Sequence, residues 1–292
     1  NYKIQEYWNL NYSSNLKNQV SKKSIENNIE NILLKSLEKQ LHADVPVGIF
    51  LSGGIDSSLI VSLTTKLGIR PKTFTIGFED NEFDEAKDSK NIAKYLNTEH
   101  HEHYLTSKEA LNLIPKIQDI YCEPFGDSSQ IPTYLISKIA RRNVKVVLSG
   151  DGGDELFGGY NRHIYANRFF SYSKFIPNNL RKLISLYLEK TNVSRSKQLY
   201  NLISKVTPEK YTLNNFSDKV IKIAKVINVN GIEEFYERIT SNIILYGNIM
   251  NNQKIKFSKF SKSEFNLNII LEKDFNTYLP DDILCKVDRA SM

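Results

Sequence analysis

The feature that most restricts what this chain can become is the run Val47-Gly48-Ile49-Phe50-Leu51-Ser52-Gly53-Gly54-Ile55-Asp56-Ser57-Ser58. An apolar stretch of strand length passes into a turn of small residues. A helical pattern then continues through Leu59, Ile60 and Leu63. Glycine lets a backbone approach a polyanion closely. A helix start offers N–H groups and the positive end of its dipole, and serine hydroxyls add donors. The run reads as a phosphate cradle at the carboxyl end of a strand. A Walker loop requires a lysine before its Ser/Thr, and no lysine stands in this turn. Asp56 would repel phosphates unless Mg²⁺ lies between them. The plainer alternative is a helix start capped by Asp or Ser, which accounts for one such residue but not for the string.

The chain around this run alternates between the two periods. Ile25, Ile29, Ile32, Leu33, Leu37 and Leu41 recur at three- and four-residue steps, one face of an amphipathic helix. Strands are expected at Thr73–Ile76, His101–Leu105 and Val144–Leu148, and helices at 84–96, 107–120 and 129–141. Such alternation predicts a doubly wound α/β fold with a parallel sheet, whose ligands bind at the carboxyl ends of the strands. The last strand ends in a second Gly-rich turn, Ser149-Gly150-Asp151-Gly152-Gly153-Asp154-Glu155-Leu156-Phe157-Gly158-Gly159-Tyr160. It holds three carboxylates on the same rim as the first. A carboxylate cluster opposite a phosphate cradle suits a magnesium–pyrophosphate site. After Tyr160 the alternation stops and the remainder reads as mostly helical. Pro177, Pro208 and Pro280 are expected breaks.

The first run resembles the SGG(I/L)DSS loop of the ATP pyrophosphatase (PP-loop) enzymes, which cleave ATP between its α- and β-phosphates. The second resembles the corresponding segment of the glutamine-hydrolysing asparagine synthetases in particular. Thr73-Phe74-Thr75-Ile76-Gly77-Phe78 looks like that family's adenine-contacting strand. Tyr278 to Met292 looks like its YLPxxxLxKxDRxSM segment, and Glu6-Tyr7-Trp8 looks like the linker joining its two domains.

The resemblance implies residue roles. Leu51, Ile76, Ser149 and Gly150 would contact the AMP part of ATP. Ser52, Gly53, Gly54, Ser57 and Ser58 would hold pyrophosphate, with Asp56 and Asp154 on Mg²⁺. Asp151, where many relatives carry Glu, would serve formation of a β-aspartyl-AMP intermediate and its capture by ammonia. The implied cofactors are ATP and Mg²⁺. The implied substrates are aspartate and ammonia, the latter from glutamine hydrolysed by an N-terminal domain that is not in this sequence. The implied organisation is a linker remnant over 1–20, the ATP-binding α/β core over 21–160 and a helical annex over 161–292. The chain begins at Asn1 and ends directly after Asp288-Arg289-Ala290-Ser291. It therefore reads as a fragment, expected to be feeble or inactive alone. A homodimer is compatible with the resemblance. The rivals are an adenylating relative with another carboxylate substrate, such as a β-lactam synthetase-like enzyme, and an ATP-binding fragment without turnover.

Composition adds exclusions. The net charge of +6 fits an anionic substrate without selecting one. The second motif does not match tRNA-modifying enzymes, and no nucleic-acid partner is expected. No apolar run approaches the roughly 20 residues of a membrane span, and no secretory signal is visible, so a cytoplasmic protein is expected. Cys122 and Cys285 lack a CxxC spacing and read as buried small residues. His101 and His103 share a strand face, which could bind a metal but reads first as a polar strand. Asp127 or Ser128 is expected to cap the helix that follows. Lys286, Asp288 and Arg289 form either an ion-pair set or a pyrophosphate-facing group.

Overall fold

The computed structural model describes residues 3–5, 7–8, 10, 21–79, 84–173, 176–190, 226–229, 231–240 and 266–292. The chain divides into two compact units. One comprises Asn1–Phe157 with Asp274–Met292, the other Gly158–Lys273. Pro208, Glu6 and most of the stretches 1–20 and 250–270 lie outside the described residues.

The first unit opens with helix α1 (Lys22–Leu41), begun by Ser21, whose hydroxyl accepts the Ser24 N–H. Strand β1 (Val47–Phe50), helix α2 (Ile55–Lys66), strand β2 (Lys72–Phe78), helix α3 (Ala86–Tyr95) and strand β3 (Glu99–Leu105) follow. The chain then crosses by α4 (Ser107–Leu113), a 3₁₀ turn (Ile114–Lys116), α5 (Ile117–Tyr121) and α6 (Gln130–Ala140) to β4 (Val146–Leu148) and α7 (Gly153–Phe157). All pairings are parallel and the order is β3-β2-β1-β4. The winding runs outward from β1 through β2 to β3. It then returns to β4 on the other side of β1. The topological switch point of this doubly wound sheet therefore lies between the carboxyl ends of β1 and β4.

Period-two alternation sends side chains to two buried faces. Ile49 and Leu51 meet Val61 of α2 and Ala93 of α3 on one face. On the other, Phe74 packs with Ala140 and Val144, and Leu105 packs with Leu113 of α4 and Leu135 of α6. Burial on both faces explains the near-continuous apolar run of β1. Strand β3 borders the sheet among the described residues, and its Glu99-His100-His101-Glu102-His103 run suits a border, where charge discourages pairing with other chains.

Four expectations need correction. The 107–120 helix is three pieces, because Pro115 lacks the N–H that a continuous helix would use. In α1 only Leu37 is buried, and Ile25 and Ile32 face solvent, because the helix meets the core near its carboxyl half alone. Pro280 does not end its helix. Asp274–Leu284 runs through it as a wide π-helical segment, whose loosened ladder accommodates the missing donor, and continues into α12 (Cys285–Ser291). Cys122 is exposed at the left-handed end of α5 rather than buried.

The second unit is helical in its described parts. Helices α8 (Asn161–Ser173), α9 (Asn178–Lys190), α10 (Ile232–Thr240) and α11 (Leu267–Lys273) are present. Its core gathers Ala166, Phe170, Val229, Ile232, Phe235 and Ile270, and Phe169 stacks on Phe235 at a centroid distance of 5.4 Å.

Gly48 marks the tightest point of the sheet. A Cβ there would lie 2.6 Å from Phe74 Cε2 and 3.1 Å from Val144 Cγ2. Phe74 is fully buried and stacked on His101, so it has no room to yield. Gly48→Ala is expected to destabilise the chain by about 1–3 kcal/mol, read as a lower urea midpoint with an unchanged m-value.

Candidate active site

The first loop leaves β1 with its backbone still tied to the sheet. The Leu51 N–H donates to the Phe74 carbonyl at 2.9 Å, and the Thr75 hydroxyl donates to the Leu51 carbonyl. Internal hydrogen bonds then fix the turn. The Ser52 N–H donates to Ser57 Oγ at 3.2 Å, the Gly54 N–H donates to Ser52 Oγ at 3.3 Å, and Ser58 Oγ donates to the Gly54 carbonyl at 2.6 Å. Gly53 adopts φ +83°, and a Cβ on it would press within 3.2 Å of the Ser89 backbone nitrogen in α3. Both the dihedral and the space call for glycine. The helix cap of α2 is Gly54, with no side-chain hydrogen bond, so the capping alternative does not hold. The first turn of α2 keeps its N–H groups free of side-chain caps, as an anion site requires.

The second turn starts at the end of β4, beside β1. Its Gly150 and Gly153 lie directly on the first loop. A Cβ on Gly150 would come within 2.9 Å of the Ser57 nitrogen, and one on Gly153 within 2.6 Å of Asp56 Cγ. The chain thus brings together the loop Leu51–Ser58 and the turn Ser149–Asp154, which are far apart in sequence. Ser149 Oγ donates to Asp151 Oδ2 at 2.7 Å, so the Asp151 side chain is held at the exposed lip of the turn. Ile76 belongs to β2, the neighbour of β1 on the side away from β4. It lies one residue beyond Thr75, on the opposite face of β2, and packs against the Leu105–Leu113–Leu135 cluster.

Asp56 sits among carboxylates. Its pKa is raised, first by burial and then by the negative charges of Asp154 and Glu155. Glu155, the third carboxylate of the second turn, is almost fully buried, at 1% exposure, and belongs to the electrostatics of the site. No group of three or more His, Cys, Asp or Glu side chains poised to hold a metal is present among the described residues. Mg²⁺ bound with a nucleotide takes only one or two carboxylates and completes its shell with phosphates and water. Mutually repelling carboxylates next to uncapped helix N–H groups fit that mode.

A second polar cluster lies where the Glu123–Ser129 turn meets α12. Lys286 Nζ donates to Asp127 Oδ2 at 2.5 Å and to Ser129 Oγ at 2.8 Å, and Lys286 is only 8% exposed. Burial pushes the Asp127 carboxyl up, but the Lys286 and Ser129 hydrogen bonds outweigh it and leave the pKa below its ordinary value. Tyr121 donates to the Gln130 carbonyl at 3.2 Å, and its pKa is pushed up to about 12 by burial, then by Asp127 and Cys285. Lys286 is therefore part of an ion pair. The cap of α6 is Ser129 and makes no side-chain cap bond. Asp127 instead accepts the Ser129 N–H at 2.8 Å, a local turn that takes the place of the expected cap. Leu279 Cδ2 lies 3.9 Å from a Cβ built on Gly152. The segment 274–291 therefore runs from the second turn to the Asp127 cluster. His101 and His103 pair with Glu99 and Glu109, each at 3.2 Å.

Several known proteins resemble this chain in sequence. A family model described as asparagine synthase matches residues 28–292. A putative glutamine-hydrolysing asparagine synthetase 2 of Methanocaldococcus jannaschii is 35% identical over 98% of this chain and 52% of its own length. The glutamine-hydrolysing asparagine synthetase 1 of Bacillus subtilis is 31% identical over 94% of this chain and 41% of its own. The chain thus spans about half the length of these relatives or less. Among solved structures, the NMN synthetase from Francisella tularensis gives a TM-score of 0.35 at 20% identity, over 49% of this chain and 60% of that one. No helix among the described residues is long and apolar enough to cross a membrane.

Two outcomes test the electrostatics. The raised pKa of Asp56 means that the folded chain holds this proton more tightly than the unfolded one. Its stabilising contribution is present below the unfolded value and is lost as pH rises through the folded value. At neutral pH the ionised carboxylate opposes folding, so Asp56→Asn is expected to raise the melting temperature at pH 7 and to flatten its dependence on pH above about 4. Asp127 has the opposite sign. Its lowered pKa supplies stability above the unfolded value that disappears as pH falls through the folded one. Lys286→Met leaves that carboxylate buried and unpaired, at an expected cost of about 3–5 kcal/mol, and adding Asp127→Asn should recover part of it. A double-mutant cycle in urea reads the coupling.

Proposed function

The chain belongs to the asparagine synthase family, and from that premise we propose that it carries the ATP-dependent step that converts aspartate to asparagine. The observation that carries the proposal is the contact of Gly150 and Gly153 with Asp56, which joins the phosphate loop and the carboxylate turn at one switch point.

The reaction runs in two displacements. A side-chain carboxylate oxygen of aspartate attacks the α-phosphorus of ATP, the bond to the β-phosphate oxygen breaks, and pyrophosphate leaves. Ammonia then attacks the β-carbonyl carbon of the resulting aspartyl-AMP, the carbonyl–phosphate oxygen bond breaks, AMP leaves, and a proton is lost from nitrogen. The loop N–H groups and the hydroxyls of Ser52, Ser57 and Ser58 receive the pyrophosphate and its growing charge. Gly53 and Gly54 allow that approach. Leu51, Ile76, Ser149 and Gly150 take the AMP side. Asp151, at the lip, would meet the incoming amine or take its proton. Asp56 and Asp154 would hold Mg²⁺, which when bound neutralises phosphate charge. That role also gives a reason for the opposing charges around Asp56. The ammonia would come from glutamine hydrolysed elsewhere in the parent polypeptide, as the names of its relatives suggest.

The test is pyrophosphate release by the intact polypeptide with ATP, Mg²⁺ and ammonium, with and without aspartate. Release should require aspartate and fall by at least about 100-fold in Asp56→Ala. Gly153→Ala, which drives a methyl into the Asp56 carboxylate, should lose about 10- to 100-fold while remaining folded. Loop-dependent release that ignores aspartate would discard this substrate in favour of another carboxylate.

A further inference from the structure

Strand β3 and helix α6 enclose a half-open cavity of about 550 Å³ that shares no residue with the two turns. Its side chains are distributed by simple periodicity. On β3, His100 and Glu102 turn to the α3 face, where His100 Nδ1 meets Thr73 Oγ1 at 3.0 Å and Glu102 pairs with Lys90. His101 and His103 turn the other way, into the cavity. From α6, Leu135 and Ile139 form an apolar floor. Lys138, in the last turn of α6, and Arg142, two residues past its end, stand exposed and both line the cavity.

The unanswered charge of this cavity is positive. Two carboxylates also line it, but Glu102 pairs with Lys90 at 2.6 Å and both oxygens of Glu109 are occupied. Oε2 accepts the Thr106 N–H and hydroxyl, each at 3.1 Å, in the capping box of α4, and Oε1 meets His103 at 3.2 Å. These bonds from Thr106 and His103 hold the Glu109 pKa below its ordinary value despite some burial, so it remains a satisfied anion. Lys138 and Arg142 have no carboxylate within ion-pair distance among the described residues.

We propose that this cavity is a second ligand site, selective for a small phosphate ester. Two cations match a dianion. A lysine ammonium, an arginine fork and the Asn143 amide offer more donors than a planar carboxylate can accept, whereas a phosphate monoester presents three terminal oxygens. The Leu135–Ile139 floor receives the organic part of the ester, and the volume suits a ligand of metabolite size. The site lies toward the carboxyl end of α6, whereas the Asp127–Ser129 cluster lies at its amino end. A ligand here would therefore act on the catalytic rim only through the helix.

The probe is phenyl phosphate, with phenylacetate as the carboxylate comparator, titrated into the intact polypeptide carrying ¹³C-labelled histidine. The expected result is a saturable shift of the His101 and His103 signals with phenyl phosphate. It should persist in Asp56→Ala and weaken about tenfold or more in Lys138→Gln/Arg142→Gln. Both substituted side chains are exposed, and a matching thermal melt confirms the fold. No saturation by about 10 mM, an undiminished response in the double variant, or loss of the response in Asp56→Ala would overturn the site. An equal response to phenylacetate would overturn the assignment to phosphate esters.

Discussion

The architecture depends on how closely two backbones can approach at one point. Gly153 leaves room for the Asp56 carboxylate where a methyl group would sit 2.6 Å from its carbon, and Gly150 leaves room for the first turn of α2. That approach exists because β1 and β4 are parallel neighbours in register, with Ile49 opposite Leu148, so both strands deliver their turns at the same height. Everything proposed for the chemistry requires the phosphate loop and the carboxylate turn to face one volume. The sheet supplies this facing, and the glycines allow the distance.

The same proximity creates an electrostatic conflict. Asp56 is pushed toward its neutral form by burial and by Asp154 and Glu155. A fold selected for stability alone would not gather these groups beside a helix start. Strain concentrated at one place, with the surrounding strands and helices well packed, is what a site for a highly charged ligand should look like before the ligand arrives. The Lys286–Asp127 pair shows the contrasting solution, in which a buried charge is answered from within the chain.

Much of the first unit is legible in the sequence because its signals are local. The switch from period two to a helical period, the glycines at strand ends and the small-residue loop each act within a few residues, and the two turns fall where that pattern expects them. What is not legible depends on distance. Nothing near Lys286 announces a partner 159 positions earlier. Nothing in the carboxyl-terminal pattern shows that 274–292 packs with the first unit rather than with the helices before it. The apolar stripe of α1 was readable, but not that only Leu37 would find cover, since exposure is decided by what lies opposite. Glu155 looked like one more acidic turn residue until burial placed it against Asp56. Pro115 is a local signal that the structure obeys, whereas Pro280 is a local signal that the structure overrides.

Strand β3 joins these points. Its run of Glu and His carries no hydrophobic message, and taken alone it reads as a weak strand. At the border of a sheet that polarity has a purpose on both sides. One face ties β3 to β2 and α3 through His100 and Glu102. The other presents His101 and His103 to a space floored by Leu135 and Ile139. Helix α6 lines that space at one end and meets the Asp127–Lys286 cluster at the other. The two ends of this helix thus meet opposite electrostatic solutions, a buried cation answered by Asp127 and exposed cations that the chain leaves unanswered.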